Sequence, residues 1–365
     1  MLTERGEPAD VVALVQSAIN LPILLLALPA GALADMFERR RIILAAQAGM
    51  LAIAVVLAWL ALAGSPPAWL VIALTALLAC GIATFSPALG ASIRETVPRA
   101  ELAAAVALNI LAFNTARTLG PALGGAVVAA GGAGAAFAVN ALGYAAAIAL
   151  FLRWRPPPSE RPARRSMAAM VAEGLRHALA SPEVRTILLR AAAFTMAGAA
   201  AWALMPLVAA DMLGQGPSTY GLLLGALGLG AVLGAASATW FRNRYGAETI
   251  TRTAGLVYGL AVVAVALQPG LPAILALLVV AGAGWVQALS GFSVAAQMWA
   301  PQAAVGRIVA LASAVTFGGL ALGAWLWGHF AEAYGVAGAL LASGGAMVLL
   351  PLLGLLLPMP DHQPS

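Results

Sequence analysis

Long apolar runs alternate with short polar links along nearly the whole chain. About 20 mostly apolar residues are enough to cross a hydrocarbon core roughly 30 Å thick. Such a crossing must be helical, because lipid offers backbone groups no hydrogen-bond partners. Eleven spans are expected on this rule, at 11–34, 41–63, 68–90, 102–130, 133–152, 185–210, 218–241, 249–267, 272–297, 305–329 and 335–357. Turn chemistry separates them at Gly64-Ser65-Pro66-Pro67, Gly131-Gly132, Gly214-Gln215-Gly216-Pro217 and Gln268-Pro269-Gly270. The expected fold class is an all-α membrane protein.

The polar links carry an orientation signal. When the spans alternate, Arg39, Arg40, Arg41, Arg94, Arg99, the run from Arg153 to Arg185, Arg242, Arg244, Arg252 and Arg307 all fall on one side. Links around 65, 132, 214, 269 and 331 contain no arginine, although the N-terminal tail holds Arg5. Basic residues gather on the cytoplasmic face. The pattern predicts a multi-pass protein of the plasma membrane (a bacterial inner membrane) with its C-terminus in the cytoplasm.

One long polar connection interrupts the alternation, RWRPPPSERPARRSMAAMVAEGLRHALASPEVR from Arg153 to Arg185. Met167, Met170, Val171, Leu175, Ala178 and Leu179 recur in it at helical spacing, opposite Glu173, Arg176 and His177. Two readings stand, an amphipathic helix on the membrane surface and a solvated linker with helical tendency; His177 is a surface residue in both. The connection divides the chain into 1–152 with five spans, 153–184, 185–357 with six spans, and a tail at 358–365. GALADMFERRR from Gly31 aligns with GAASATWFRNR from Gly234, setting Arg39 over Arg242 and Arg41 over Arg244. A weaker comparison sets Gly120 and Gly124 against Gly319 and Gly323. If the halves are duplicates, one lacks a span, and the missing one should precede residue 11.

Composition excludes several classes. With 62% hydrophobic and 9% charged residues, the chain lies far from the roughly 25% charged content of soluble proteins. All 19 basic residues are arginine, and because most gather in links they read as topology signals, so no nucleic-acid partner is expected. A single cysteine, Cys80, excludes an internal disulfide. No GxxxxGK loop for nucleotide binding occurs, no metal-ligand cluster is visible, and no catalytic residues or cofactor are assigned. The opening MLTERGEPAD is too acidic for a signal peptide.

Several polar residues stand out against the apolar background. Arg117 lies well inside a span, where a charge costs a few kcal/mol and marks a cavity or a partner. Asn109 and Asn114 lie on neighbouring turns, and Asn20, Gln16 and Gln47 in adjoining spans complete a candidate wet pathway. The competing reading has Arg117 snorkelling to a helix end. Gly120, Gly124 and Gly125 are expected to permit close helix approach, with Pro121 bending the span as a gate. Trp202, Trp285, Trp299, Trp325 and Trp327 are candidate cavity walls, with Trp299 and Trp327 also placed for interfacial anchoring.

Gly31-Ala32-Leu33-Ala34-Asp35 followed by Arg39-Arg40 resembles the signature loop of the major facilitator superfamily. The chain is similar to its branch of transmembrane secretion effectors, which contains siderophore and drug exporters, from about residue 11 to residue 357. Met36 and Glu38 depart from the loop pattern. Ala116-Arg117-Thr118-Leu119-Gly120-Pro121-Ala122-Leu123-Gly124-Gly125 is similar to the glycine-proline motif of exporters. Gly306-Arg307 and Tyr220-Gly221-Leu222-Leu223 are similar to family positions at the starts of later spans.

The resemblance implies two helical bundles and alternating access, with twelve spans as the family norm and the first one missing here. It also implies that Asp35 caps a helix of the other bundle beginning near Gly306 and Arg307, where an anion meets unpaired N–H groups and the positive end of a helix dipole. A local pair between Asp35 and Arg39 or Arg40 is the alternative. The function implied is secondary active export of small, amphipathic, drug- or siderophore-like molecules, by a monomer in the lipid bilayer. The alternatives are a truncated, non-transporting membrane protein and an importer of a small nutrient. No Asp or Glu lies deep in the eleven spans, which leaves three options for coupling to protons: a group in the absent span, Asp35 or Glu101 at the helix ends, or plain facilitation.

Overall fold

A computed structural model of the chain describes residues 8–64, 66–98, 101–154, 176, 180–268, 270–299 and 305–360. The connection at 155–175 and 177–179, with the amphipathic segment and His177, lies outside the described residues. Among the described residues the regular structure is helical. The long helices are α1 (Ala9–Met36), α2 (Arg39–Ala63), α3 (Ala68–Thr96), α4 (Leu102–Arg153), α5 (Pro182–Gly198), α6 (Pro217–Arg244), α7 (Ala247–Ala266), α8 (Leu271–Trp299) and α9 (Val305–Leu349).

Two of them are double. At Gly132 (φ 75°) in α4 and Gly335 (φ 77°) in α9 the backbone leaves helical values, entering a region that glycine adopts without steric cost. Each chain then runs back. Beyond Gly132, Gly134 meets Leu62 at one end of α2, and Phe151 and Leu152 meet Arg40 at the other. Beyond Gly335, Gly344 meets Gly259 and Val263, and Gly354 meets Arg252 and Glu248, so the return half of α9 lies antiparallel to α7.

Among the described residues, eight helices are long and apolar enough to cross a membrane. Taking the two double ones twice and adding α5, which is shorter, accounts for eleven crossings. The span expected at 185–210 is not one helix. After α5 come Ala200–Ala203, Met205–Leu207 and a π-helical turn at Val208–Met212. The break falls at Leu204 (φ −98°, ψ 0°), just before Pro206, whose ring clashes with an earlier carbonyl and which has no N–H to donate.

The helices gather into two bundles. In one, α3 packs on α1 and α2, and α2 packs on α4. In the other, α8 packs on α6 and α7, and α9 on α5 and α7. Small residues set the spacing in the second bundle: Gly234 lies against Ala283, where a Cβ would stand 2.6 Å from the carbonyl oxygen, and Gly230 and Gly282 lie closer still to the Val279 and Leu227 carbonyls. Without a hydrophobic drive between helices in lipid, such backbone contact is the main source of association.

At the centre of that bundle Phe194, Tyr258, Trp285 and Phe292 pack ring to ring. Trp285 belongs to this core, and Trp327 is buried with its Nε1–H donating to the Met196 carbonyl at 2.9 Å, so it pins α9 to α5 and does not anchor at the interface. Tyr258 is fully buried and donates to the Gly198 carbonyl at 2.6 Å. Tyr258→Phe is expected to cost about 1 kcal/mol, read as a lower unfolding midpoint in detergent with unchanged helical circular dichroism.

Candidate functional site

The bundles meet along two seams. In the first, α1 runs antiparallel to the first half of α9: Asp10 and Ala13 meet Gly328, the Ser17 hydroxyl donates to the Ala321 carbonyl at 2.8 Å, and Leu24 meets Gly318. In the second, α4 meets α6 at Gly125, where a Cβ would stand 2.8 Å from the Pro217 carbonyl oxygen and 2.9 Å from the Gly221 Cα. Gly125 and Gly328 each lie seven residues before a helix-breaking glycine, Gly132 or Gly335. The two halves are thus related by a constant offset of 203 residues (335 minus 132), the same offset that sets Gly31 over Gly234.

This register corrects the glycine comparison made from sequence, because Gly120 matches Gly323 and Gly319 falls on Ala116. It also separates the three glycines expected to allow close approach. Gly125 does so, whereas a Cβ at Gly120 or Gly124 would meet no described residue within 4 Å. Helix α4 continues through Pro121, and its break is at Gly132.

On the arginine-bearing side, the link expected from Gly31 to Arg41 is much shorter. Helix α1 continues through Gly31 and Asp35 to Met36, so only Phe37 and Glu38 connect it to α2. Arg39, Arg40 and Arg41 form the first turn of α2, where the helix dipole disfavours cations. Two contacts offset that. Arg41 pairs with Glu38 at 2.7 Å, and Arg40 donates from Nε and Nη2 to the Phe151 and Leu152 carbonyls, at 3.0 and 2.7 Å. These are terminal carbonyls of α4 without helical partners, so Arg40 ties the two ends of the bundle's outer pair together.

Asn20 is buried on α1 and donates to the Gln16 carbonyl of its own helix at 2.7 Å. The structure places Asp35 in the last turn of α1, Asn109, Asn114 and Arg117 in the first half of α4, and Gly306 and Arg307 in the first turn of α9. The side chains of these residues lie outside the described ones.

A second basic side chain is buried, near the arginine-bearing end of a span. Arg190 on α5 is 5% exposed and pairs with Glu248 at the start of α7. Glu248 also accepts from Arg252 and, at 2.6 Å, from the Met359 N–H, while Arg190 reaches the Leu357 carbonyl at 3.2 Å. One carboxylate therefore joins α5, α7 and the segment that follows α9. The sequence signal was present, as Glu248 and Arg252 stand at i and i+4, but nothing in the spacing points to Arg190, 58 residues away.

A cavity of about 180 Å³ lies between α5, α8 and the first half of α9, toward the arginine-bearing side. Leu289, Phe292 and Phe317 supply apolar walls, and Ser293, Ser313 and Thr316 supply hydroxyls. Among the described residues its lining carries no charged side chain. The Thr316 hydroxyl is spent on the Ala312 carbonyl of its own helix, at 2.8 Å.

Two bundles in contact along paired seams, with a cavity opening beside them, define the fold class of the major facilitator transporters. Solved structures agree. The nucleoside transporter NupG superposes with a TM-score of 0.76 at 13% identity, covering 98% of this chain and 93% of that one. The xylose transporter XylE from E. coli gives 0.74 at 13% identity, covering 98% and 88%. The transmembrane secretion effector family matches residues 1–364, and the chain belongs to that family of the superfamily. Among curated relatives, the multidrug efflux pump Tap of Mycolicibacterium fortuitum is 28% identical over 98% of this chain and 89% of its own length. The enterobactin exporter EntS of Escherichia coli O1:K1 / APEC is 30% identical over 89% of this chain and 78% of its own length. The chain is therefore a multi-pass membrane protein of a transporter family.

Proposed function

We propose that this protein exports small amphipathic molecules, drug- or siderophore-like, by alternating access. The observation that carries the mechanism is the matched pair of crossings at Gly125 and Gly328, both on the arginine-free side. They hold the bundles together there, while the cavity lies toward the arginine-bearing side. Apolar walls with a few hydroxyls suit an amphipathic, uncharged surface better than a sugar or an amino acid. The exporter direction is supported by the relatives Tap and EntS and by the glycine-proline run at 116–125.

Residues 1–152 form the first bundle, with five spans. Residues 153–184 are the connection, 185–357 the second bundle with six spans, and 358–365 a tail. The membrane is a bacterial inner membrane, the arginine-bearing side and the C-terminus are cytoplasmic, and the protein acts as a monomer. Glu248 is occupied by two arginines and a backbone N–H; of the options for coupling to protons, we assign it to Asp35 or Glu101 at the helix ends.

The test is transport in proteoliposomes with a cationic dye and a catecholate siderophore, with and without an imposed pH gradient. Gradient-driven movement of either is expected; uptake of a sugar or nucleoside in preference to both would overturn the reading. Asp35 is the proposed latch to the helix that starts near Gly306 and Arg307, closing the cytoplasmic side between turnovers. Asp35→Asn is expected to slow transport at least about tenfold, since a charge-assisted contact is worth some 1.5–3 kcal/mol, with expression and unfolding midpoint unchanged. Normal transport by this variant would reduce Asp35 to a loop charge. Arg117, Asn109 and Asn114 are assigned to the central pathway.

A further inference from the structure

The offset of 203 residues makes each half a control for the other, and it sets α3 (Ala68–Thr96) on α8 (Leu271–Trp299) end for end. It also sets Arg39 and Arg41 on Arg242 and Arg244, but the charges at the matched positions around them differ. Asp35, Glu38 and Glu95 of the first half correspond to Ala238, Phe241 and Met298 of the second. The two arginines persist there without the three matching acids. Glu248, the next acid along the chain, is engaged with Arg190 and Arg252. Among the described residues Arg244 forms no ion pair. Its guanidinium lies over the Trp240 ring, 5.9 Å from the centroid, and Trp240 packs edge to face against Phe241 and Tyr245.

These groups face lipid. Leu222, Leu229, Leu233, Trp240 and Arg244 recur at helical spacing on one exposed side of α6. Beside them a recess of about 40 Å³ opens between the end of α6, the start of α7 and the end of α8, lined by Arg242, Tyr245, Ile250, Val294, Met298 and Trp299 among others. At 3.6 residues per turn, Val294 and Met298 lie on the side of α8 opposite Leu289, Phe292 and Ser293, which line the central cavity. The recess is therefore on the outer face of the second bundle, at its arginine-bearing end. A basic and aromatic rim above an apolar floor matches the junction between a phosphate headgroup and its acyl chains. We propose that this site holds an anionic phospholipid. Its phosphate is met by Arg242 at the recess and by Arg244 over Trp240, the first carbons of one chain enter the recess, and the rest lies along Leu233 and Leu229. A soluble phosphate would leave the apolar floor bare, and a zwitterionic lipid brings a cation of its own to the arginines. The proposal is independent of the transported molecule.

The test is native mass spectrometry of the purified full chain, released from detergent micelles that contain equimolar phosphatidylglycerol and phosphatidylcholine. Phosphatidylglycerol is expected to be retained in preference. Arg242→Gln and Arg244→Gln are each expected to cut its retention about fivefold, the effect of one basic residue at an anionic surface. Arg41→Gln removes the matched arginine of the first half, which pairs with Glu38, and should leave retention unchanged. Val294→Trp fills the recess without altering a charge and is expected to lower retention by a similar factor, whereas attraction of lipid to a merely basic surface would not respond. The unfolding midpoint of each variant checks that it is folded. Equal retention of the two lipids, no response to the arginine variants, an equal loss with Arg41→Gln, no response to Val294→Trp, or displacement of the lipid by glycerol 3-phosphate would each overturn the proposal.

Discussion

Replacing Glu248 by leucine is expected to destabilise the protein by about 3 kcal/mol, because it strands a buried charge. Arg190 is 5% exposed and keeps only the Leu357 carbonyl once the carboxylate is gone. The Met359 N–H loses its acceptor at the same time. Breaking one side of a buried pair is costlier than removing the pair, since the desolvation penalty then stays without its compensating attraction. Arg190→Met combined with Glu248→Leu should therefore recover most of the loss. Arg252→Gln should be mild, as that side chain is one-third exposed and its pairing is screened by solvent. Thermal unfolding of the four proteins in one detergent measures all of this; a double variant no more stable than Glu248→Leu would show that the cluster acts through packing alone.

The second large effect is on movement rather than on folding. Gly125→Leu drives a side chain into the Pro217 carbonyl and the Gly221 backbone, which belong to the other bundle. Each bundle keeps its own core, so the folded yield should change little. The crossing can no longer close, and transport should fall by about two orders of magnitude, as expected when a misplacement of about 1 Å disrupts a positioned assembly. Gly328→Leu, at the matched position against Ala13 and Asp10, should behave alike. Transport in proteoliposomes, set beside the unfolding midpoint, separates this from a folding defect, and near-normal rates in both variants would remove the crossings from the transport cycle.

Much of the fold is legible in the sequence, for a physical reason. In lipid the length and apolarity of a run determine whether it spans, so the crossings can be located from hydropathy alone. Helix ends are less legible: Asp35 continues α1 instead of leaving it, and the three arginines begin α2 despite the unfavourable dipole, because Glu38 beside them and the α4 carbonyls, distant in sequence, compensate. The candidate site divides similarly. Gly120, Gly124 and Gly125 are equivalent as sequence, yet only Gly125 touches a neighbour, since contact depends on which helix passes by. Arg190 was concealed because its partner lies on another helix. Repeat register carried the most information of all, once the two helix-breaking glycines aligned it.

The seam between α1 and α9 has a mechanical consequence. Its contacts run from Asp10 to Leu24, about 21 Å of helix at 1.5 Å per residue, and they include two glycines, Ala13, a leucine tip and the Ser17 hydrogen bond. Among the described residues no ion pair appears between these two helices. Such a surface works as a bearing: one helix slides along the other by exchanging one set of small contacts for another, and along the described stretch the Ser17 hydrogen bond is what must break for it to start.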